Sequence, residues 1–288
     1  MTLTTEAGRS VVRGRRTRRV DPPRFLYAVT AAVLAFMFLP LAVVVVYSFN
    51  SRKSLVTFGG FSTTWYEQAW QSEALRASLS ASVEIALATT LVSAVCGCAL
   101  ALALARGTRR FAALSSSIVL LRLVTPETVT AVSLFVVLTQ ASIPLSAGTV
   151  VLGHIALCIP FVAVIVRTRL EGMNSEIEDA AMDLGSTQLG ALRLVVLPAL
   201  WPSILAASLL TFVLSFDNFV TTFYTAGTNT PPLPMLIYSM LRFGVSPVVN
   251  VIGIVMIAFT VLGTGLAYAI IRLTGRSRSL LRGPRYLS

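Results

Sequence analysis

Five ionisable side chains interrupt otherwise apolar stretches of this sequence: Glu84, Arg122, Glu127, His154 and Asp217. A charge held away from water is costly, and it is retained where it faces a cavity, a partner group or a passing ion. Glu127 follows Pro126, and Asp217 stands in Ser215-Phe216-Asp217-Asn218. Carboxylates placed along a wall would give a passing cation a series of attractive but leavable sites. Glu127, Asp217, Asn218 and Tyr224 form the candidate substrate path. A structural role stands beside it: Glu127 could pair with Arg122, and Asp217 could reach hydration at a membrane face. Glu84 suits an interfacial position, and His154 a hydrogen-bonded packing role. Tyr224, Tyr238 and Phe243 could line a vestibule or belong to an interfacial aromatic belt. Other chemistries fare worse. Cys96, Cys98 and Cys158 all lie in apolar stretches, and the C-x-C of the first two is neither a zinc nor a redox spacing. His154, the single histidine, leaves no metal cluster. A Walker A loop needs G-x-x-x-x-G-K-[ST]. The single lysine, Lys53, follows Asn50-Ser51-Arg52, with no such glycines. No nucleophile and no paired acid and base stand out.

The elements that must position these residues are membrane spans. The 288 residues are 55% hydrophobic and only 12% charged, with a mean hydropathy of +0.80. A soluble domain covers itself with Asp, Glu, Lys and Arg, and this chain has too few. A span needs ~20 mostly apolar residues, because its backbone groups must be satisfied without water. Six stretches qualify: 25–47, 79–105, 111–138, 149–166, 198–224 and 248–271. The expected fold is an all-α membrane protein. Its parts are a basic tail (1–24), a six-helix domain (25–272) and a second basic tail (273–288). The net charge of +11 is gathered between and beyond the spans, so it does not mark a nucleic-acid binder. Arginines crowd the first tail, the 106–110 and 167–193 connections, and the last tail. The opposite connections hold only Arg52, Lys53, Arg76 and Arg242. The positive-inside rule therefore puts both termini in the cytoplasm. The first apolar run exceeds a signal core of ~7–15 residues, and we expect an uncleaved span.

The connection between spans four and five, residues 170–200, has the most distinctive pattern. It reads Glu178-Asp179-Ala180-Ala181-Met182-Asp183-Leu184-Gly185, and nine residues later Val195-Val196-Leu197-Pro198. Ser175 and Glu178 have the spacing of a capping box. Acidic residues early in the helix suit its dipole, and Gly185 sits where the end of a helix wants positive φ. Ala180 and Ala181 are small enough for another surface to come close. A second amphipathic piece, 189–197, leads to Pro198 in the first turn of span five, where proline is tolerated. On physics alone, this is either a helical hairpin without a partner or a docking element.

The stretch resembles the cytoplasmic motif of importer-type ABC permeases: Glu-Ala-Ala, three residues, Gly, nine residues, and Ile-x-Leu-Pro. Asp179, Ala180, Ala181, Gly185, Val195, Leu197 and Pro198 match with the spacing intact. Asp179 replaces the usual Glu and Val195 the usual Ile, and Glu178 stands next to the first. Tyr47-Ser48-Phe49, Gly153-His154, Asp183-Leu184-Gly185 and Ser239 to Pro247 are similar to the spermidine/putrescine (PotC-like) subfamily. The resemblance implies a MetI-like, type I importer permease fold in a bacterial inner membrane. It implies a second permease subunit, a paralogue, beside this one, and an ATP-binding dimer that holds the ATP and Mg, leaving no cofactor on this chain. An extracytoplasmic solute-binding protein would deliver the substrate. ATPase coupling would fall to Glu178, Asp179, Ala180, Ala181, Gly185, Leu197 and Pro198. A polyamine is the implied solute, although this chain has Asp217-Asn218 where some polyamine permeases carry two carboxylates. Similar motifs serve thiamine, ferric iron and phosphonates. An ion-driven secondary transporter would need an inverted repeat, which the sequence does not display.

Overall fold

The structure, a computed structural model, describes residues 24–54, 57–174, 176–228, 231–243 and 246–279. Ser175, residues 1–23 and residues 280–288 lie outside them. By contacts the chain divides into two units, residues 1–43 and 44–288. The described part of the first is most of α1 (Arg24–Ser48), an apolar helix with Pro40 inside it.

The second unit is helical, and among the described residues its sole β feature is a bridge between Asn50 and Phe61. The helices are α2 (Thr64–Gln71), α3 (Glu73–Arg106), α4 (Arg109–Val124), α5 (Glu127–Gln140) and α6 (Ala147–Glu171). There follow α7 (Glu176–Asp183), α8 (Gln188–Ala191), a π-helical turn (Leu192–Val196) and α9 (Leu197–Phe216). The chain ends in α10 (Val220–Thr225), α11 (Leu233–Phe243) and α12 (Val248–Ser279). Among the described residues, five stretches are long and apolar enough to cross a membrane: Arg24–Ser48, Glu73–Arg106, Ala147–Glu171, Gln188–Phe216 and Val248–Leu266. The third expected span, 111–138, is not straight, because α4 and α5 meet at 103°. Pro126 directly precedes α5, whose helix starts at Glu127. A proline forces its predecessor out of the helical region, and Thr125 accordingly has ψ 128. The fifth span also differs from expectation. Its helix ends at Phe216 rather than near 224, and α10 is a separate short helix.

α3 packs most extensively against α6 and then α9. Its buried face is a row of small and hydroxyl side chains, Ser78, Ser82, Ala86, Thr89, Ser93, Gly97 and Ala101. Small residues let helix backbones approach where lipid offers no hydrophobic drive to associate. A Cβ on Gly97 would lie 2.5 Å from Val162. Two clusters of buried apolar side chains hold the unit together. One gathers Ala69, Leu75, Phe216, Leu233 and Ile252 from α2, α3, α9, α11 and α12. The other gathers Ala101, Val162, Val166, Val196 and Leu200 around α3, α6 and α9.

Two prolines in this unit have a local consequence. Pro160 lacks the N–H that would reach the Ala156 carbonyl four residues earlier. Arg122 Nε donates to that carbonyl at 3.2 Å, so an intramembrane cation fills the gap that an intramembrane proline leaves. Before Pro198, the Leu197 N–H reaches back to the Leu192 carbonyl, a five-residue step that widens the helix into its π turn.

The connection after α1 is a compact knot rather than an open loop. Asn50 is buried, donates to the Ser54 and Thr57 carbonyls (2.8 Å each) and accepts from the Gly59 N–H at 2.8 Å. Trp65 and Tyr66 pack against the first core cluster, whereas Trp70 is exposed.

Candidate functional site

Two places merit close description. The first is the surface around α7. Asn174 Oδ1 accepts the Glu176 N–H at 3.1 Å, and Glu176, Glu178 and Asp179 fill the first turn, where carboxylates complement the dipole. At the other end, the Gly185 N–H donates to the Met182 carbonyl (2.9 Å) and the Ser186 N–H to the Ala181 carbonyl (3.1 Å). These are the paired bonds of a Schellman stop, and Gly185 supplies its φ of +92°. The acidic pair then divides. Glu178 turns to its own chain, where Arg106 at the end of α3 binds it at 2.8 Å. Asp179 and Ala180 are exposed, and Ala181 is half-buried. Ile177, Leu184, Leu189 and Leu194 are also exposed, Leu184 by 90%. Underneath, a cavity of about 200 Å³ lies between Arg106, Met173, Ile177, Glu178 and Val196. Leu197 and Pro198 open α9 immediately behind the π turn.

The second place is where α5, α6, α9 and α10 meet. Glu127 starts α5, so its carboxylate lies at a helix N-terminus beside the 103° bend. Asn218 Nδ2 donates to Glu127 Oε1 at 2.6 Å, and Thr221 Oγ1 donates to the same oxygen at 3.0 Å. Asn218 Oδ1 accepts the Thr221 N–H at 3.0 Å, as a capping Asn does at a helix start. His154, 1% exposed, lies between Ser215 Oγ (2.8 Å from Nδ1) and Thr222 Oγ1 (3.1 Å from Nε2). Thr149 Oγ1 donates to the Thr225 carbonyl at 2.8 Å. α10 comes this close because residue 153 is glycine: a Cβ there would lie 2.5 Å from Thr221 Cγ2.

The candidate path residues thus separate. Glu127 and Asn218 are bonded to each other across the bundle. Asp217, the neighbour of Asn218, is exposed, and its carboxylate has no hydrogen bond or ion pair among the described residues. Tyr224 belongs to an aromatic group: its ring lies 5.3 Å from Phe223 and 6.5 Å from Phe135, while Phe219 and Tyr238 are 5.0 Å apart. Arg122 and Glu127 do not form an ion pair, because Arg122 serves the Ala156 carbonyl. Glu84 is exposed and lines a half-open cavity of about 490 Å³ with Ser80, Ser146, Gly227 and Pro232. Among the described residues no group of His, Cys, Asp and Glu could hold a metal ion.

A family model described as the binding-protein-dependent transport system inner membrane component matches residues 93–276. The chain belongs to this family. It is a permease subunit of a binding-protein-dependent ABC importer. The permease is 31% identical over 229 residues to the spermidine/putrescine transport system permease protein PotC of Escherichia coli K12, covering 80% of this chain and 87% of that one. It is 35% identical over 226 residues to the putrescine transport system permease protein PotI of the same strain, covering 75% and 79%. In fold it is similar to the MetNI methionine ABC transporter in an inward-facing form. That match has a TM-score of 0.58 and 19% identity, over 71% of this chain and 99% of that one. A bacterial alginate ABC transporter, in complex with an alginate pentasaccharide-bound periplasmic protein, matches with a TM-score of 0.64 and 13% identity, over 87% and 94%.

Sequence reasoning missed several partners in this permease. Arg106 appeared only as one of the arginines that orient the chain. Ser215, Thr221 and Thr222 were not singled out. The one local signal was Asn218 followed three residues later by Thr221, the spacing of a capped helix start. The other partnerships join residues far apart in the chain.

Proposed function

We propose that this permease moves a polyamine, putrescine or spermidine, through a path that includes Glu127, Asp217, Asn218 and Tyr224. The observation behind this reading is that a carboxylate stands at a helix break in a chain 31–35% identical to polyamine permeases. Glu127 accepts two hydrogen bonds on one oxygen, which fixes the direction its carboxylate faces. Asp217 adds a second, exposed negative charge next in sequence to its partner. Neither forms an ion pair, so an ammonium group would meet acceptors that no internal cation occupies.

In this reading the α7 surface docks an ATP-binding subunit, with Asp179, Ala180 and Ala181 presented and Glu178 acting as the anchor to α3. Gly185 fixes the angle at which the chain leaves, and Leu197 and Pro198 pass motion into α9. ATP and Mg reside on the partner dimer, and this chain supplies no catalytic residue or cofactor. A second, paralogous permease completes the pore, an extracytoplasmic binding protein delivers the solute, and both termini are cytoplasmic. The test is uptake of labelled putrescine into proteoliposomes holding the full complex and the loaded binding protein. We expect uptake that requires ATP and falls at least several-fold with Asp217→Asn. Uptake of thiamine, ferric iron or a phosphonate in place of putrescine would overturn the polyamine reading. Ion-driven uptake that survives removal of the ATPase would overturn the coupling reading.

A further inference from the structure

The break between α9 and α10 is bridged by one side chain from a third helix. Ser215 lies in the last turn of α9, Thr222 in α10, and His154 of α6 contacts both. The hydrogens in this bridge can be assigned. The Thr222 hydroxyl has one proton, and it donates that proton to the Asn218 carbonyl at 2.6 Å. Towards His154 it can therefore only accept, so Nε2 carries the hydrogen. In the neutral ring Nδ1 is then the acceptor, and Ser215 Oγ donates to it at 2.8 Å. The result is a directed chain of bonds: Ser215 to His154, His154 to Thr222, and Thr222 to the Asn218 backbone. From that residue the Asn218 side chain donates to Glu127, with Thr221 donating beside it. His154 is 1% exposed and Asn218 7%, so water does not compete along the chain.

We propose that His154 is the positioning residue of the substrate path, clamping the α9–α10 break so that Asn218 and Thr221 hold the Glu127 carboxylate in one orientation. This rests on Glu127 belonging to that path. Gly153 and His154 then form one device: the glycine lets α10 approach α6, and the histidine fixes where it stops. Substitutions separate the two ends of the clamp. The amide nitrogen of a Gln occupies nearly the place of Nε2 and can still donate to Thr222, whereas Asn reaches only the Ser215 side.

The experiment is initial-rate uptake of labelled putrescine by the reconstituted complex. It compares His154→Asn, His154→Gln, Thr222→Val, Thr222→Ser, Glu127→Gln, and His154→Asn combined with Glu127→Gln. Assembled complex is quantified for each. We expect His154→Asn and Thr222→Val to raise the apparent KM by about tenfold, the size of one lost buried hydrogen bond, with little change in the maximal rate. His154→Gln and Thr222→Ser should recover a large part of that loss. Adding His154→Asn to Glu127→Gln should cost nothing further, since a clamp has no effect once the group it positions is gone. Full multiplication of the two effects would overturn the proposal. So would loss in Asn and Gln variants alike, or wild-type KM in both His154→Asn and Thr222→Val. Wild-type uptake in Glu127→Gln would instead remove Glu127 from the path, and the positioning role with it. That result is distinguishable because it appears without any change at His154.

Discussion

Arg122 and Pro160 solve each other's problem. The proline leaves a carbonyl without a donor inside the membrane, and the arginine brings a charge that needs an acceptor. A hydrogen bond from a charged group contributes about 1.5–3 kcal/mol, so Arg122→Met should lower the thermal stability of the detergent-solubilised subunit measurably. Arg122→Gln, which keeps a donor, should lose less. Equal melting temperatures for the two variants would show that the carbonyl is served in another way. Gly185 is the second position where one atom decides. At φ +92° a side chain costs about 1–2 kcal/mol, so Gly185→Asp should loosen the stop of α7. Transport and stimulated ATPase activity should fall while the chain still inserts. This glycine was legible in the sequence, because a Schellman stop has a local signature. The opposite fates of Asp217 and Asn218 were not. A helix read straight through 224 points them about 100° apart without saying which side is covered, whereas the structure, with α9 ending at Phe216, leaves Asp217 exposed and buries Asn218.

Between helices, close approach and bonding at the ends dominate. α3 passes the Glu84 cavity on its way from Glu73 to Arg106, and its contact with α6 depends on a row of small side chains. Gly97→Leu would force α6 away from α3 and should cost about 1–3 kcal/mol by overpacking, read as a lower melting temperature. The Arg106–Glu178 pair is partly exposed, with side-chain exposures of 38% and 25%. A double-mutant cycle on stability should therefore give only about 0.2–1 kcal/mol. Hydropathy located the five straight apolar helices and the α4–α5 stretch but could not see the 103° bend. A proline inside an apolar run is compatible with a straight span, a kink or a break. What selects the break here is the seat that α10 offers α5, through Asn218 and Thr221, about ninety residues further along the chain. Glu127 was identifiable as an intramembrane charge, but its partners lie beyond the reach of any local pattern.

Within the second unit, α7 meets the tip of α3 through Arg106 and Glu178, while the α5–α6 turn and Pro232, just before α11, share the Glu84 cavity. The arginine distribution predicts that the α7 end faces the cytoplasm. In a background lacking Cys96, Cys98 and Cys158, Ala141→Cys should react with an impermeant maleimide added outside intact cells. Gln188→Cys should react only after the membrane is opened. The reverse pattern would invert the topology.

Leu184 has a consequence for how the cell handles this subunit. A leucine exposed by 90%, with Ile177, Leu189 and Leu194 also uncovered nearby, is a patch of the kind that quality-control proteases and chaperones recognise. Under the docking proposed above, the ATP-binding subunit covers this patch. Supply of that partner would then set how long a newly made copy survives. In a pulse-chase experiment, copies made without the partner should disappear faster than copies made with it. Leu184→Ser should narrow the difference.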